Sequence, residues 1–159
     1  MAIRTAILTI SDMCSEGKRA DTSGQNIEEM LPKDKFEVCE KKIVPDDYET
    51  IVRTLRRFSD EQKVEIVLTT GGTGLGPRDV TPEATTAVSD RKVPGLSEIL
   101  RCESYKKTPN AMLSRGVSVM RDNTLIINLP GSPKAVRECM EIILKVLPHV
   151  VEMMHGGGH

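Results

Sequence analysis

Apolar positions follow two different patterns along the chain, and their alternation predicts the elements of the fold. Short, β-branched apolar runs typical of strands occupy residues 5–10, 36–44, 64–70, 117–120 and 125–128. Between them, helices are predicted over residues 25–31, 48–58, 82–89, 96–105 and 133–147. The clearest is the helix over 48–58, because apolar residues recur there every three or four positions along one face.

Local signals mark where these elements begin and end. Thr81 is expected to cap the helix over 82–89, and Pro148 is expected to end or kink the last helix. Residues 14–24 are polar and contain two glycines, which predicts a flexible loop. Arg121-Asp122-Asn123 lies between two strands and predicts a hairpin turn.

The alternation of strands and helices predicts an α/β fold. Connections of this kind form right-handed βαβ units, so we expect a mostly parallel sheet covered on both faces, with one antiparallel hairpin near Asp122. The chain of 159 residues has the length of one domain. We expect this domain to span residues 1–150, followed by a flexible tail over 151–159.

Polar segments that follow the predicted strands are the main candidates for a functional site. In an open parallel sheet, ligands bind at the carboxyl ends of the strands, near the point where the strand order reverses. The segments that follow four strands here are small, polar or acidic, so they should converge on one edge of the sheet. They are Ser11-Asp12, Pro45-Asp46-Asp47, the run from Gly71 to Asp79, and Pro130-Gly131-Ser132-Pro133.

The glycine-rich run TTGGTGLGPRD is the most distinctive of these segments. It is not the phosphate loop of the NTPases, because Pro77-Arg78 stands where Lys and Ser or Thr are required, and it also fails the dinucleotide motif. Glycines nevertheless let backbone N–H groups approach an anion closely, and a tight structural turn is the alternative interpretation. The residues expected to bind phosphate are Gly71, Gly72, Thr73 and Gly74.

The last segment before the final long helix suggests a second phosphate contact. Ser132 is a natural N-cap and Pro133 a natural first helical residue, so the free N–H groups there suit a phosphate bound by the Pro130-Gly131-Ser132 turn. An ordinary loop and helix cap is the alternative. Arg78 could neutralise a leaving pyrophosphate, and a solvated surface charge is its alternative role.

Three aspartates follow the predicted strands, and two of them suggest a metal site. Asp12 ends the first strand, Asp46 follows the second and Asp79 ends the glycine-rich run. Mg²⁺ binds through one or two carboxylates together with substrate phosphates, so Asp46 and Asp79 are its candidate ligands. Taken singly, both residues could instead be helix caps.

Composition narrows the classes of function. Lys and Arg total 22 and Asp and Glu total 23, a net charge of −1 that argues against a nucleic-acid or membrane-surface binder. Aromatic residues are only 3% of the chain, which argues against a stacking platform. The four cysteines form no C-x-x-C pair, and no apolar run approaches a membrane span. We therefore expect a cytoplasmic protein with incidental thiols. The terminal HGGGH is expected to be disordered rather than metal-binding.

The long motif TTGGTGLGPRDVTPEAT, followed by LPGSPKAV, resembles the molybdenum-cofactor biosynthesis family. That family contains stand-alone bacterial enzymes and the G domains of plant and animal cofactor-synthesis proteins. The opening AILTISDMCSEGKRADTSG and the segment IVPDD resemble its pattern as well. The resemblance covers about residues 6 to 147, and its glycine motif is highly specific.

The resemblance implies a fold, a reaction and residue roles. It implies an α/β/α sandwich that usually assembles as a trimer, with a hexamer as the alternative. The implied reaction transfers AMP from ATP to the terminal phosphate of molybdopterin, requires Mg²⁺ and releases pyrophosphate. Asp46 and Asp79 fall on the catalytic aspartates of the family. Its nucleotide and phosphate segments fall on the glycine loop and on Pro130-Gly131-Ser132. Four further residues match positions near the ligand: Ser11, Asp12, Asp21 and Ser23. A possible partner is a molybdate-insertion protein that takes over the product.

Another class of function remains open beside this one. Some relatives have the fold and bind molybdopterin without supplying the activity, so a binding or scaffolding protein is the alternative. The pair Asp46 and Asp79 favours an enzyme, since a pure binder needs neither carboxylate. The molybdate-insertion relatives share the fold but carry further domains, for which 159 residues leave no room.

Overall fold

A computed structural model of the chain describes residues 1–157, in which strands and helices alternate. The strands are β1 (Ile3–Ile10), β2 (Phe36–Val44), β3 (Ile66–Thr70), β4 (Arg91–Lys92), β5 (Ser118–Arg121) and β6 (Thr124–Leu129). The helices are α1 (Asp12–Ser15), α2 (Thr22–Met30), α3 (Tyr48–Arg56), α4 (Thr81–Ala87), α5 (Pro94–Tyr105), α6 (Pro133–Ile143) and α7 (Leu147–Met154). A π-helical turn (Arg57–Glu61) extends α3, and a 3₁₀ turn (Pro109–Leu113) follows α5.

The six strands form one mixed sheet in the order β2-β1-β3-β6-β5-β4. The first four are parallel, and β5 runs antiparallel to both β6 and β4. The β5–β6 hairpin turns at Asp122, whose φ of 49° is the left-handed conformation that tight hairpin turns require. The predicted mostly parallel sheet with one antiparallel hairpin is therefore confirmed.

Helices cover both faces of the sheet, because successive side chains of each buried strand point to opposite sides. Along β1, Ile7 packs in one core cluster while Leu8 packs in the other. The first cluster holds residues of α2, α5, α6 and α7, and the second holds residues of α3 and α4. The fold is thus the expected three-layer α/β/α sandwich.

The segment between β1 and α2 differs from the predicted flexible loop. A single helical turn, α1, follows β1 directly, and α2 begins at Thr22 rather than at residue 25. Asp21 caps α2, since its Oδ1 accepts from the Gly24 N–H at 2.9 Å while its Oδ2 accepts from the Thr9 hydroxyl at 2.8 Å. The contact with Thr9 pins this segment to β1, which the local polarity of residues 14–24 does not reveal.

The end of the described chain also differs from the prediction. The last long helix stops at Ile143, and Pro148 lies in the first turn of a new helix, α7, where a missing N–H costs nothing. Residue 150, the expected end of the domain, lies inside α7, and Val151 is buried in the core. His159 lies outside the described residues. No helix in residues 1–157 is long and apolar enough to cross a membrane.

Candidate active site

The loops after the four parallel strands meet at one edge of the sheet. The register pairs Ile10 with Val44 and Thr70 with Leu129, so the residues that follow these strands start side by side. Hydrogen bonds join neighbouring strand ends and loops. The Ser11 N–H donates to the Val44 carbonyl at 2.9 Å, and the Thr70 hydroxyl donates to the Pro130 carbonyl at 2.7 Å. The convergence expected from the sequence is therefore present.

The glycine loop (residues 71–76) enters this edge through two residues that need glycine. Gly71 has a φ of 97°, and a Cβ there would lie 2.2 Å from the Ile10 carbonyl oxygen. Gly72 has a φ of 69°, and a Cβ there would lie 2.2 Å from the Thr81 hydroxyl. Glycine alone combines this left-handed conformation with such a close approach. The loop can therefore pass directly over the end of β1.

Thr81 has a different role from the expected helix cap. It is the first residue of α4, whose N-cap is Val80 and has no side-chain cap. The buried Thr81 hydroxyl donates instead to the Gly71 carbonyl at 2.9 Å, and the Thr81 N–H donates to the Gly72 carbonyl at 3.1 Å. A hydroxyl that could have capped its own helix thus anchors the glycine loop, because the loop folds back over it.

Several N–H groups of the loop have no acceptor within residues 1–157. The backbone N–H groups of Gly72, Thr73, Gly74 and Leu75 donate to no protein oxygen in this part of the chain. Backbone donors in such a loop form a concave surface suited to an anion. Neighbouring carbonyls are occupied by protein donors, so the unused groups are donors and the loop is suited to phosphate oxygens.

Asp12 and Asp46 hold each other through their backbones. The Asp12 N–H donates to Asp46 Oδ2 at 2.9 Å, and the Asp46 N–H donates to Asp12 Oδ1 at 3.0 Å. The Arg78 guanidinium donates to both carboxylate oxygens of Asp12, from Nε to Oδ2 at 2.6 Å and from Nη2 to Oδ1 at 3.0 Å. The Arg78 guanidinium lowers the pKa of Asp12, with help from the Asp46 N–H. Asp12 therefore remains ionised.

Asp46 and Asp79 do not act as helix caps. Asp47 caps α3, since its Oδ2 accepts from the Thr50 N–H at 2.9 Å, and α4 has no side-chain cap. Burial raises the pKa of Asp46, and the Asp12 and Asp79 carboxylates nearby raise it further, against the Asp12 N–H that lowers it. A carboxylate held in such surroundings is one that a cation would stabilise.

The donor set fits Mg²⁺ that arrives with phosphate, not a closed protein site. Within residues 1–157 no group of three or more His, Cys, Asp or Glu side chains could hold a metal. Asp79 Oδ2 accepts from the Gly76 N–H at 2.9 Å, and Asp46 Oδ2 is used by Asp12, which leaves Oδ1 of each without a donor in this part of the chain. Two carboxylate oxygens plus substrate phosphates are a suitable Mg²⁺ set.

Two cavities open on either side of the glycine loop. The first, here called the polar cleft, has a volume of about 310 Å³. It brings together Ser11, Asp46, Gly71, Gly72, Asp79 and Gly131 of the predicted site residues. Cys14, Asp21 and Ser23 also line it, and the Ser23 hydroxyl donates to the Gly131 carbonyl at 2.7 Å.

The second cavity, here called the apolar pocket, has a volume of about 410 Å³. It takes Thr73, Gly74, Pro130 and Ser132 from the predicted residues. Its other walls come from α5, the 3₁₀ turn and α6, including Leu100, Ala111, Leu113, Ala135 and Cys139. Asp12 and Arg78 line neither cavity; they are paired beside the cleft.

Sequence reasoning missed residues that act on the site from a distance along the chain. Arg115 donates to the glycine loop from the segment before β5. Asn128, on β6, is buried and donates to the hydroxyls of Thr69 and Thr85 at 3.0 Å each. The signal for Arg115 in the sequence is a single charge in the otherwise uncharged stretch from Met112 to Met120.

Comparison with known proteins covers almost the whole chain. A family model described as a probable molybdopterin binding domain matches residues 6–149. The molybdopterin adenylyltransferase of Helicobacter pylori strain J99 is 40% identical over 156 residues, which cover 97% of this chain and 89% of that protein. The molybdenum cofactor synthesis protein cinnamon of Drosophila melanogaster is 43% identical over 155 residues, which cover 96% of this chain but only 26% of that longer protein.

A solved structure agrees with these sequence matches. The crystal structure of the molybdopterin biosynthesis enzyme MoaB from Thermus thermophilus superposes with a TM-score of 0.91 at 49% identity, covering 97% of both chains. The range matched by the family model, residues 6–149, includes the glycine loop, Asp46 and Asp79. The chain therefore belongs to the molybdopterin-binding domain family of molybdenum-cofactor biosynthesis.

Proposed function

We propose that this chain is a molybdopterin adenylyltransferase that transfers AMP from ATP to the terminal phosphate of molybdopterin and releases pyrophosphate. The observation that carries the proposal is the pairing of two carboxylates, Asp46 and Asp79, with the unused N–H groups of the glycine loop beside the same cleft. Relatives that match over most of their own length bear this activity in their name.

We assign the phosphates to the polar cleft. The N–H group of Gly72 and the hydroxyl of Ser11 are donors in this cleft that a triphosphate can use, and Asp46 and Asp79 would hold Mg²⁺ against it. When bound, Mg²⁺ supplies positive charge that offsets the negative charge on the transferring phosphate oxygens. Arg78, 63% exposed and paired with Asp12, lies where it can turn toward a leaving pyrophosphate.

We assign the pterin to the apolar pocket. Leu100, Ala111, Leu113 and Pro130 offer flat aliphatic walls, and no aromatic ring lines the pocket among residues 1–157. The Glu138 carboxylate also lines it and can accept hydrogen bonds from ring and amino N–H groups. The glycine loop separates the two cavities, so the terminal phosphate of a bound pterin would reach the nucleotide across it.

In this arrangement the chain acts by positioning and electrostatics. A terminal phosphate oxygen of molybdopterin forms a bond to the α-phosphorus of ATP, the bond from that phosphorus to the β-bridging oxygen breaks, and pyrophosphate leaves with the electron pair. The protein forms no covalent intermediate. The loop N–H groups hold the phosphates in line, which is the larger part of what catalysis of this reaction type needs.

The experiment that tests the proposal mixes the protein with ATP, Mg²⁺ and molybdopterin. The expected result is pyrophosphate release together with an adenylylated pterin, and neither product when any one component is left out. Pterin binding without pyrophosphate release would overturn the enzyme assignment and leave the binding or scaffolding alternative. The intact pair of carboxylates favours the enzyme, because a binder needs no Mg²⁺.

The finer assignments belong to the same proposal. We propose a homotrimer or hexamer in the cytoplasm that hands its product to a molybdate-insertion protein. Exposed apolar side chains on α5 and the 3₁₀ turn, Ile99 and Met112, support assembly, and four unpaired cysteines fit a reducing compartment. The near-zero net charge of −1 supports the absence of a nucleic-acid partner.

A further inference from the structure

Arg115 donates hydrogen bonds to three backbone carbonyls in the glycine-rich run from Gly71 to Asp79. Its backbone N–H donates to the Thr73 carbonyl at 2.9 Å. Its side chain donates from Nε to the Gly74 carbonyl at 2.8 Å and from Nη2 to the Asp79 carbonyl at 2.7 Å. Arg115 therefore joins the middle of the glycine loop, at Thr73 and Gly74, to Asp79 at the end of the glycine-rich run.

The remaining guanidinium nitrogen completes a clamp. Arg115 Nη1 donates to both carboxylate oxygens of Glu83, each at 2.8 Å. Glu83 lies in the first turn of α4, four residues after Asp79. A planar guanidinium with fixed donor directions is held in one orientation by such a two-oxygen partner. Glu83 therefore aims the other two nitrogens at the loop.

Peptide geometry links these contacts to the unused donors. A peptide unit is planar and trans, so the carbonyl of one residue and the N–H of the next point in opposite directions. The carbonyls of Thr73 and Gly74 face Arg115, which turns the N–H groups of Gly74 and Leu75 away from it. Those two N–H groups are among the ones without an acceptor in residues 1–157.

The same clamp places a carboxylate. Arg115 holds the Asp79 carbonyl from one side, while Asp79 Oδ2 accepts from the Gly76 N–H on the inner side of the loop. A Cβ at Gly74 or Gly76 would lie 2.9 Å from that oxygen, so the loop closes tightly around the carboxylate. The Arg115 side chain thus sets the backbone of Asp79 and the direction of the Leu75 N–H, while the Arg115 backbone N–H sets that of the Gly74 N–H.

We infer that Arg115 is a positioning residue for the transfer step: it fixes the backbone of Asp79, whose carboxylate lines the polar cleft, and the part of the glycine loop next to it, without touching the substrate. The inference rests on the proposed adenylyltransferase function. It predicts that Arg115 controls the use of ATP and Mg²⁺ more strongly than it controls folding or pterin binding.

The test compares Arg115→Lys with Arg121→Lys. Arg121 is a matched control, because it also pairs with a carboxylate, Asp60, at 2.8 and 2.6 Å and donates to a backbone carbonyl, that of Val88, at 3.0 Å. It lines neither cavity. Lysine keeps the charge in both variants but cannot donate in three directions from a fixed plane.

The expected result is a fall of roughly 10²-fold in kcat/KM for ATP in Arg115→Lys, with an unchanged Kd for molybdopterin and a Tm shift no larger than that of Arg121→Lys. Arg121→Lys should keep its turnover. Added guanidinium should restore part of the activity of Arg115→Ala and none of that of Asp79→Asn. Glu83→Gln should show the same effect as Arg115→Lys, but smaller.

Other results would overturn the inference. Normal turnover by Arg115→Lys, or a loss no larger than that of Arg121→Lys, would show that the clamp is dispensable. An Arg115→Lys protein that does not fold would show that the clamp serves stability alone. The wild-type protein separates this from the proposed function. If the wild type itself makes no adenylylated pterin, the proposed function is wrong. If the wild type makes it and the Arg115 variants make it equally fast, the positioning role of Arg115 is wrong.

Discussion

The polar cleft and the apolar pocket lie on either side of one glycine loop, yet they are built in different ways. Loops after four parallel strands form the cleft, and backbone contacts between those loops hold its side chains, as in the exchange between Asp12 and Asp46. Packing of α5, the 3₁₀ turn and α6 against the end of β6 forms the pocket. Under the proposed function, the parallel sheet edge would supply the phosphate contacts, and helix packing would supply the shape for the pterin.

The two cavities should therefore respond differently to substitution. Changes of charge or backbone conformation should act on the cleft, because its function depends on carboxylates and N–H directions. Changes of side-chain volume should act on the pocket, because its function depends on shape. This difference can be tested by variants that alter one property at a time.

Asp79→Asn should have the largest effect on the cleft. Asparagine keeps an oxygen that can accept from the Gly76 N–H, but it removes the charge that would hold Mg²⁺. Pyrophosphate release should fall by roughly 10²–10³-fold, the range seen when a transition-state contact is lost, with an unchanged Tm. Asp34→Asn, at an exposed residue, is the control. Normal turnover by the Asp79 variant would refute its assignment.

Gly72→Ala should damage the cleft through the backbone. An alanine there keeps a φ of 69° only with strain and brings its Cβ 2.2 Å from the Thr81 hydroxyl and 3.2 Å from Asp46 Oδ1. Gly17→Ala has a similar φ of 73° but meets nothing within 4 Å, so it measures the conformational cost alone, roughly 1 kcal/mol. Chemical denaturation should show a larger loss for Gly72→Ala, together with lost turnover. Equal losses in the two variants would mean that the close contact has no consequence.

Ala135→Leu should act on the pocket and leave the cleft intact. The added side chain would occupy space that the pterin needs, so KM for molybdopterin should rise by about tenfold, as when one or two methylene groups are misplaced in an apolar site. KM for ATP should stay the same. Ala87→Leu places the same side chain at an exposed end of α4 and serves as the control. A matching rise in KM for ATP would contradict the separation of the two cavities.

The smallest effect should come from an ion pair outside both cavities. Arg57 pairs with Glu40 through two hydrogen bonds, and this guanidinium lowers the pKa of Glu40 below its ordinary value. The stabilisation is therefore present at neutral pH and is lost as the pH falls through the lowered pKa. Glu40→Gln should cost about 1 kcal/mol or less at neutral pH and nothing below that pKa, measured by urea unfolding. Turnover should not change; a loss of turnover would show that the pair supports the cleft.

The sequence predicted the cleft far better than the pocket. Ser11, Asp46, Gly71 and Asp79 lie in segments that follow strands, so local patterns were enough to place them at the carboxyl edge of the sheet. The pocket needs α5 and α6 to meet over β6, and residues such as Leu100 and Ala135 carry no motif. The scarcity of aromatic residues, unexplained for a pterin binder, fits a pocket whose walls are aliphatic.

The wrong predictions from the sequence share one physical cause. Thr81 resembles a helix cap, and residues 133–147 resemble one helix that Pro148 ends or kinks, when each is judged only from its neighbours in the chain. In the folded chain the Thr81 hydroxyl is drawn to the Gly71 carbonyl, and Pro148 begins a helix whose Val151 is buried in the core. Tertiary contacts outweigh local preferences of about 1 kcal/mol, which is the usual size of a cap.

What the sequence determined by itself is whatever depends on local spacing: the alternation of strands and helices, the sheet edge where the candidate site lies, and the glycines that bring backbone donors there. What only the tertiary structure decided depends on residues distant in sequence. Arg115 reaches Gly74 across 41 residues of chain, and Arg78 reaches Asp12 across 66. No local pattern specifies such pairs, because folding brings them together only after the sheet and its helices have been packed.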